Sequence, residues 1–428
     1  MKLGFFPVLD PQGGGIYQYS GSIARALDDV AAGGAAVAFV PPGHRLPREM
    51  DRWTRFELDD LAPAPAAQRL AFITSPRLRR GLRSVRRRVR PDAPVDLEAV
   101  RSRPESARRL RELGVDLDLF PAPLPISFEI GLPYVMAIHD LQHRLQPEFP
   151  EVSAGGVWEY REHLFRNGTR RASAVLADSE VGREDILDAY GDHVEEERVC
   201  VLPFVAPPEL REPPVDEDAV TLVRQRYVLP ERYLLYPAQF WPHKNHVRLV
   251  EALGILAGRN VHVPLVLCGT WKDEIRRRTY KTMMNRAAAL GIAEQLTVLG
   301  YVPETDMAAL YRGATGLVFP TFFGPTNIPV VEAWTVGCPV ITSDIHGIRE
   351  QVGDAALLAD PREPEAIAAA VERLWTDAAL AEELVRKGHA RVGRFSPDDF
   401  RRRLTEILAR ARELGPPVPS ARTYASRG

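Results

Sequence analysis

Residues 318–344 read VFPTFFGPTNIPVVEAWTVGCPVITSD, and their pattern decides the fold. The apolar run that ends at Pro320 has the length of a buried strand and lacks the alternation of a half-solvated one. The FFGPTN loop interrupts it, and apolar residues resume from Ile328 as a helix. Proline fits the first helical turn, where its fixed φ suits the geometry and its missing N–H would have no partner anyway. Asn327 or Thr326 is the expected cap. A second short apolar run, CPVITSD, follows. Strand, loop, helix and strand in this order form the repeating unit of a parallel α/β sheet.

The same alternation extends in both directions. RYLLYPAQ, VPLVLCGT, QLTVLGYV and TGLVFPT read as further strands of the second half, with helices over residues 245–258, 273–291, 304–313, 329–337 and 363–392. In the first half KLGFFPV, AAVAFV, LDLFPAP, PYVMAIHD and ASAVLADS read as strands, with helices over residues 16–30, 151–171 and 180–190. Between the halves lies PFVAPPELREPPVDEDA, residues 203–219, whose prolines fix dihedrals and remove donors, as in an exposed connection. A chain of 428 residues exceeds the size at which one core stops growing. The expected organisation is therefore two α/β domains, residues 1–210 and 220–396, followed by a helix over about 398–414 and a tail within 397–428.

Composition narrows the class. Hydrophobic residues make up 45% and charged residues 26%, as in globular chains, and the net charge of −2 exerts no overall pull on nucleic acid or membrane. Cys200, Cys268 and Cys338 are scattered without ligand-like spacing, and two of them sit in apolar runs, which fits small buried residues in a reducing cytoplasm. The N-terminus lacks a leader-like apolar stretch, and no run is long enough to span a bilayer, so the sequon at Asn167 carries no expected function. Residues 76–111 are dense in arginine. They read as a solvated surface insertion, or as a basic face over 76–90 that meets anionic lipid or a phosphate-bearing acceptor at the inner membrane face. No aromatic residues interleave with these charges, which argues against nucleic acid.

Four segments carry candidate chemistry. Gly13, Gly14 and Gly15 follow the first strand and open a helix, where a bare backbone and free amides can approach an anion; a plain tight turn is the alternative, and the spacing is not GxGxxG. His139 and Asp140 end a strand, the position that faces the crevice in open α/β sheets. There His139 could bond a substrate hydroxyl or donate to the backbone. Lys244, in YPAQFWPHKNHVRLVEAL, lies at a strand–loop–helix junction, where an ammonium and helix amides together suit a diphosphate. Glu332 stands one turn inside the helix of the opening stretch, where its carboxylate could accept from two ribose hydroxyls.

The last two segments together resemble the retaining glycosyltransferases of family 4, which have the GT-B architecture of two Rossmann-like domains with parallel sheets facing across a cleft. The resemblance is clear over most of residues 230–395 and thinner in the first half, through the glycine loop, the HD pair and ADSE at Asp178–Glu180. It implies that Glu332 holds the nucleotide ribose, Lys244 faces the diphosphate, His139 is the crevice histidine of the first domain, and Gly13 to Gly15 form the glycine loop. Two positions depart from the pattern. The first carboxylate of the family's spaced pair, associated with the donor hexose, falls at Gly324, and the arginine that normally precedes the lysine falls at Gln239.

The expected activity is transfer of a sugar from a nucleotide diphosphate sugar to a glycan, lipid-linked or small-molecule acceptor. Gly269 and Thr270, with Tyr301 and Val302, are expected to line the base, and amides near Thr326, Asn327 and Ile328 to share the diphosphate charge with Lys244. No DxD-like carboxylate pair stands on a credible loop, so the expectation is metal independence, with the donor as substrate and no other cofactor. A nucleotide-sugar epimerase on the same architecture, or a non-catalytic partner of another transferase, are the alternatives. A nicotinamide dehydrogenase lacks its fingerprint.

Overall fold

The computed structural model describes residues 1–61, 96–211 and 217–417. The basic face expected over 76–90, part of the connection and most of the tail lie outside the described residues. The chain forms two compact units. One comprises Met1–Pro147, Val152–Leu202 and the terminal segment from Asp398; the other comprises Glu148–Glu151 and Pro203–Pro397. The division falls between Leu202 and Pro203, at the start of the proline-rich stretch. The terminal helix Pro397–Leu414 is part of the first unit.

Seven parallel strands form the first sheet: β1 (Leu3–Phe5), β2 (Ala36–Val40), β3 (Thr54–Glu57), β4 (Leu117–Phe120), β5 (Tyr134–Ala137), β6 (Ala174–Ala177) and β7 (Val199–Val201), in the order β3-β2-β1-β4-β5-β6-β7. Six form the second: β8 (Leu234–Pro237), β9 (Leu265–Cys268), β10 (Leu296–Gly300), β11 (Gly316–Phe319), β12 (Val340–Ser343) and β13 (Leu357–Ala359), in the order β10-β9-β8-β11-β12-β13. Every pairing is parallel, so each strand returns through a crossover, and the central strands are buried on both faces. Strand order reverses direction between β1 and β4, and again between β8 and β11. At such switch points the loops leaving the carboxyl ends of two neighbouring strands diverge and leave a crevice.

Several expected helices are divided, each for a local reason. The span 363–392 is two helices, Pro364–Thr376 and Ala378–Val392, because Asp377 leaves helical geometry and caps the second through Leu380 N at 2.9 Å. The span 151–171 breaks at Gly155 and Gly156, both at positive φ, and regular helix runs over Val157–Arg171. The span 16–30 divides at Leu27. Three strands were not expected. β3 is polar and partly exposed at a sheet edge, and β7 and β13 are three residues each, too short for a periodic signal.

Asp118 sits inside β4, beside the first switch point, 1% exposed, with Oδ1 lacking a partner among the described residues. Gly4 on β1 makes room for it, since a Cβ there would stand 2.2 Å from that oxygen. Burial raises the Asp118 carboxyl well above the carboxylate range. A carboxyl whose pKa is higher folded than unfolded contributes stability below the unfolded value, about 4, and loses it as pH rises towards the folded value. Asp118→Asn should therefore gain in melting temperature over wild type from pH 4 to pH 8; a difference constant across that range would show that Asp118 does not titrate as described.

Candidate active site

The site in the second unit is built on the loops that leave β8 and β11 at the switch point. After β8 the chain passes Gln239, Phe240 and Trp241, makes a 3-10 turn at Pro242–Lys244, and enters the helix His246–Gly258. Asn245 joins turn to helix in the left-handed conformation at φ 61°, which asparagine tolerates better than most side chains. Its buried amide donates to the carbonyls of Pro320 at 3.0 Å and Pro361 at 2.7 Å, tying the β8 loop to those after β11 and β13. The Tyr236 hydroxyl donates to the Lys244 carbonyl, and the His243 carbonyl accepts from Phe322 N at 2.8 Å and Thr321 Oγ1 at 3.3 Å. The His243 ring lies flat on Phe323, 3.8 Å between centroids, and its Nδ1 stands 2.6 Å from the Glu151 carboxylate. Burial opposes charge on Glu151, but the bonds to His243 prevail and hold its pKa below the ordinary value. The Lys244 backbone is thus fixed on both sides, and its ammonium lies 4.8 Å over the Phe319 ring that ends β11.

The loop after β11 is equally constrained. The Gly324–Pro325 peptide is cis, and a Cβ on Gly324 would meet the His346 carbonyl oxygen at 2.4 Å. Gly347, at φ 80°, packs just as closely on Pro325. No side chain fits at 324, so the backbone here excludes the carboxylate that the family pattern places at that position.

Asn327 occupies the cap position of the helix Ile328–Val336, but its side chain makes no cap bond. It turns back to the Phe323 carbonyl at 3.3 Å. Gln351 instead clamps the Asn327 backbone, accepting from its N–H at 3.0 Å and donating to its carbonyl at 2.9 Å. The expected cap is therefore corrected: Thr326 Oγ1 is buried without a partner among the described residues, and the Asn327 amide is already engaged. Ile328 N–H, at the first helical position, is one of the amides that helix geometry cannot satisfy internally. Glu332 is 6% exposed, and its Oε2 accepts from the Tyr311 hydroxyl at 2.6 Å. It is a buried, oriented carboxylate. Burial and the neighbouring Glu332 charge raise the Tyr311 hydroxyl well above its ordinary pKa, so it stays a donor.

Gly269 follows β9 with φ 153°, and a Cβ there would collide with the Ala238 carbonyl at 2.2 Å, so β8 and β9 close tightly at their carboxyl ends. Thr270 follows, buried. Arg276, in the helix Glu274–Ala289, reaches this point; it was not singled out in the sequence because it stood within an ordinary charged helix. Its Nη1 donates to Gln239 Oε1 at 2.5 Å and Thr270 Oγ1 at 3.1 Å. Tyr301, 52% exposed, and buried Val302 follow β10, at the sheet edge beyond β9. The second unit thus brings Lys244, Gln239, Gly269, Thr270, Gly324, Thr326 and Asn327 to the loops that follow β8, β9 and β11, with Ile328 and Glu332 in the helix that follows the last of these loops.

Gly13 to Gly15 and His139 belong to the first unit. Gly13 ends a 3-10 turn, Gly14 at φ 65° precedes the helix, and Gly15 is its first residue, with no side-chain cap. His139 follows β5. Its Nδ1 stands 3.1 Å from both oxygens of buried Asp178 and its Nε2 2.8 Å from the Pro121 carbonyl. The bond to backbone, one of its two expected roles, is formed. Burial disfavours the imidazolium, but Asp178 and the Pro121 carbonyl outweigh it and raise the pKa. Asp140 pairs with Arg161. His143, buried against Glu162 at 2.8 Å, is structural.

Restoring the family carboxylate should damage the protein. Gly324→Glu should lower the melting temperature markedly and leave donor affinity no better; a variant as stable as wild type would show that the loop can move off His346.

Residues 223–391 match the family described as glycosyl transferases group 1. Among curated proteins, O-antigen chain mannosyltransferase B of Escherichia coli is 33% identical over 178 residues, which is 41% of this chain and 45% of that protein. The serotype-specific mannosyltransferase WbdA of Escherichia coli is 25% identical over 53% of this chain and 27% of its own length, so the chain spans less than half of either relative. Among solved structures, HepE of Anabaena in complex with UDP and glucose superposes with a TM-score of 0.69 at 17% identity, over 96% of this chain and 99% of that one. WaaG, a glycosyltransferase of lipopolysaccharide biosynthesis, does so with a TM-score of 0.66 at 16% identity, over 95% and 99%. Among the described residues no helix is long and apolar enough to cross a membrane. Over residues 223–391 the chain is similar to the glycosyl transferases group 1, and its two parallel-sheet units have the GT-B fold.

Proposed function

We propose that the protein is a retaining, metal-independent glycosyltransferase of family 4 that moves a sugar from a nucleoside diphosphate sugar to a glycan or lipid-linked acceptor. One observation carries the reading: an ammonium lies over the ring that ends β11, and the loop leaving that strand opens a helix with a buried carboxylate one turn inside it. The ammonium and the first helical amide suit a diphosphate, and the oriented Glu332 carboxylate suits paired ribose hydroxyls. The names of the curated relatives make a mannosyl donor the first to try. The arginine-rich stretch 76–111 fits an acceptor that bears phosphate or lipid.

The chemical difficulty is departure of a diphosphate while positive charge grows at the anomeric carbon. Lys244 and the Ile328 amide stabilise the charge that develops on the leaving oxygen more than the charge of the bound donor, and that difference lowers the barrier. With retention, the acceptor attacks on the face the diphosphate leaves, and a donor phosphate oxygen takes the acceptor proton. No side chain is assigned as general base. His139, bonded to Asp178 and the Pro121 carbonyl, which raise its pKa against burial, keeps the loop after β5 in one arrangement.

A charge-assisted contact is worth about 1.5–3 kcal/mol, so Lys244→Ala should cut turnover at least tenfold with the fold intact by circular dichroism. Turnover within twofold of wild type would remove Lys244 from the mechanism. Glu332→Gln should weaken nucleoside diphosphate affinity in a thermal-shift panel. EDTA should leave turnover unchanged, whereas a loss restored by manganese would overturn metal independence.

A further inference from the structure

At Gln239 the chain lacks the arginine that the family pattern places before the lysine, and the structure brings a different guanidinium to that spot. Arg276 enters from the first turn of the helix Glu274–Ala289 and is held on four sides. Asp273 caps the helix through Arg276 N at 2.9 Å and pairs with Nε through its other oxygen. Nη1 donates to Gln239 Oε1 and Thr270 Oγ1. The guanidinium carbon lies 4.7 Å over the Trp241 ring, whose Nε1 donates to the same Gln239 oxygen at 3.1 Å. The side chain is only 16% exposed, which is unusual for arginine in a solvated helix.

We propose that Arg276 binds the distal phosphate of the donor together with Lys244, in place of an arginine at 239. Its anchors, Gln239 and Thr270, follow β8 and β9 at their carboxyl ends, where an open parallel sheet binds its ligand. Lys244 leaves the same β8 loop five positions on. Asp273 is committed to the helix cap and Nε, and Nη2 makes none of these bonds. An arginine fork held by its Nε and Nη1 edges keeps donors for an anion at little entropic cost. The glutamine also has a reason: a second guanidinium at 239 would face Arg276 at hydrogen-bond distance and repel it, whereas the glutamine oxygen accepts from it. The two positions thus exchange the charge between them.

The inference rests on the diphosphate reading of the proposed function. The test is titration calorimetry of the full chain with UDP against UMP and GDP against GMP, alongside thermal melts. Should neither diphosphate bind wild type, the donor reading itself fails, and this assignment with it. Where one binds, Arg276→Ala should weaken the diphosphate at least tenfold and the monophosphate less than twofold, and the exchanged pair Gln239→Arg/Arg276→Gln should recover diphosphate affinity to within about threefold. If Arg276→Ala does not fold, Arg276→Lys decides, and should lower the diphosphate-over-monophosphate preference severalfold. An unchanged preference in the single variant that folds, or equal weakening of both ligands, would overturn the assignment.

Discussion

The buried amide of Asn245, bonded to the carbonyls of Pro320 and Pro361, joins the loops that leave three strands of the second sheet. Carbonyls just beyond strand ends have no ladder partner, and leaving them unsatisfied in the interior is costly. One side chain satisfies both and fixes where the β8 loop stands relative to those after β11 and β13. The Lys244 backbone position, the stacking of His243 on Phe323 and the entry angle of the helix bearing Glu332 all follow from that junction. The left-handed backbone at 245 is part of the same arrangement, since it turns the chain from the 3-10 turn into the helix while the amide points inward.

The two departures from the family pattern have separate physical causes. At 324 the backbone passes so close to the His346 carbonyl that only glycine fits, and the cis bond to Pro325 packs against Gly347. No side chain at that position can therefore take the role that the family pattern gives to its carboxylate. At 239 the missing charge stands beside a charge brought from another helix. The first departure is steric and local; the second is electrostatic and depends on tertiary placement.

What the sequence makes legible follows range of interaction. The helices Glu180–Tyr190 and Glu304–Gly313 match the expected spans because their periodicity is local, and Ser179 caps the first. The positions of Lys244 and Glu332 at strand–loop–helix junctions could be read for the same reason. The cap expected from Asn327 is absent because its side chain turns back to the Phe323 carbonyl, while Gln351, distant in sequence, fixes the Asn327 backbone in both directions. Arg276 lay hidden in a helix whose charges read as solvated, and only the packing of β8 against β9 shows what it touches. β3 escaped notice because an edge strand need not be apolar.

The terminal helix Pro397–Leu414 completes the unit in which the chain begins. Phe400, Leu404, Ile407, Leu408 and Ala411 are buried along it; Phe400 meets the Tyr19 ring, Arg403 bonds the Val201 carbonyl, and Arg198 donates to Gly415. During synthesis the second unit can close on itself while the earlier one still waits for its last wall. The opening unit is thus the later of the two to be finished, and a gene cut at the junction between the sheets would leave the helix's apolar face on one half and the flank it covers on the other.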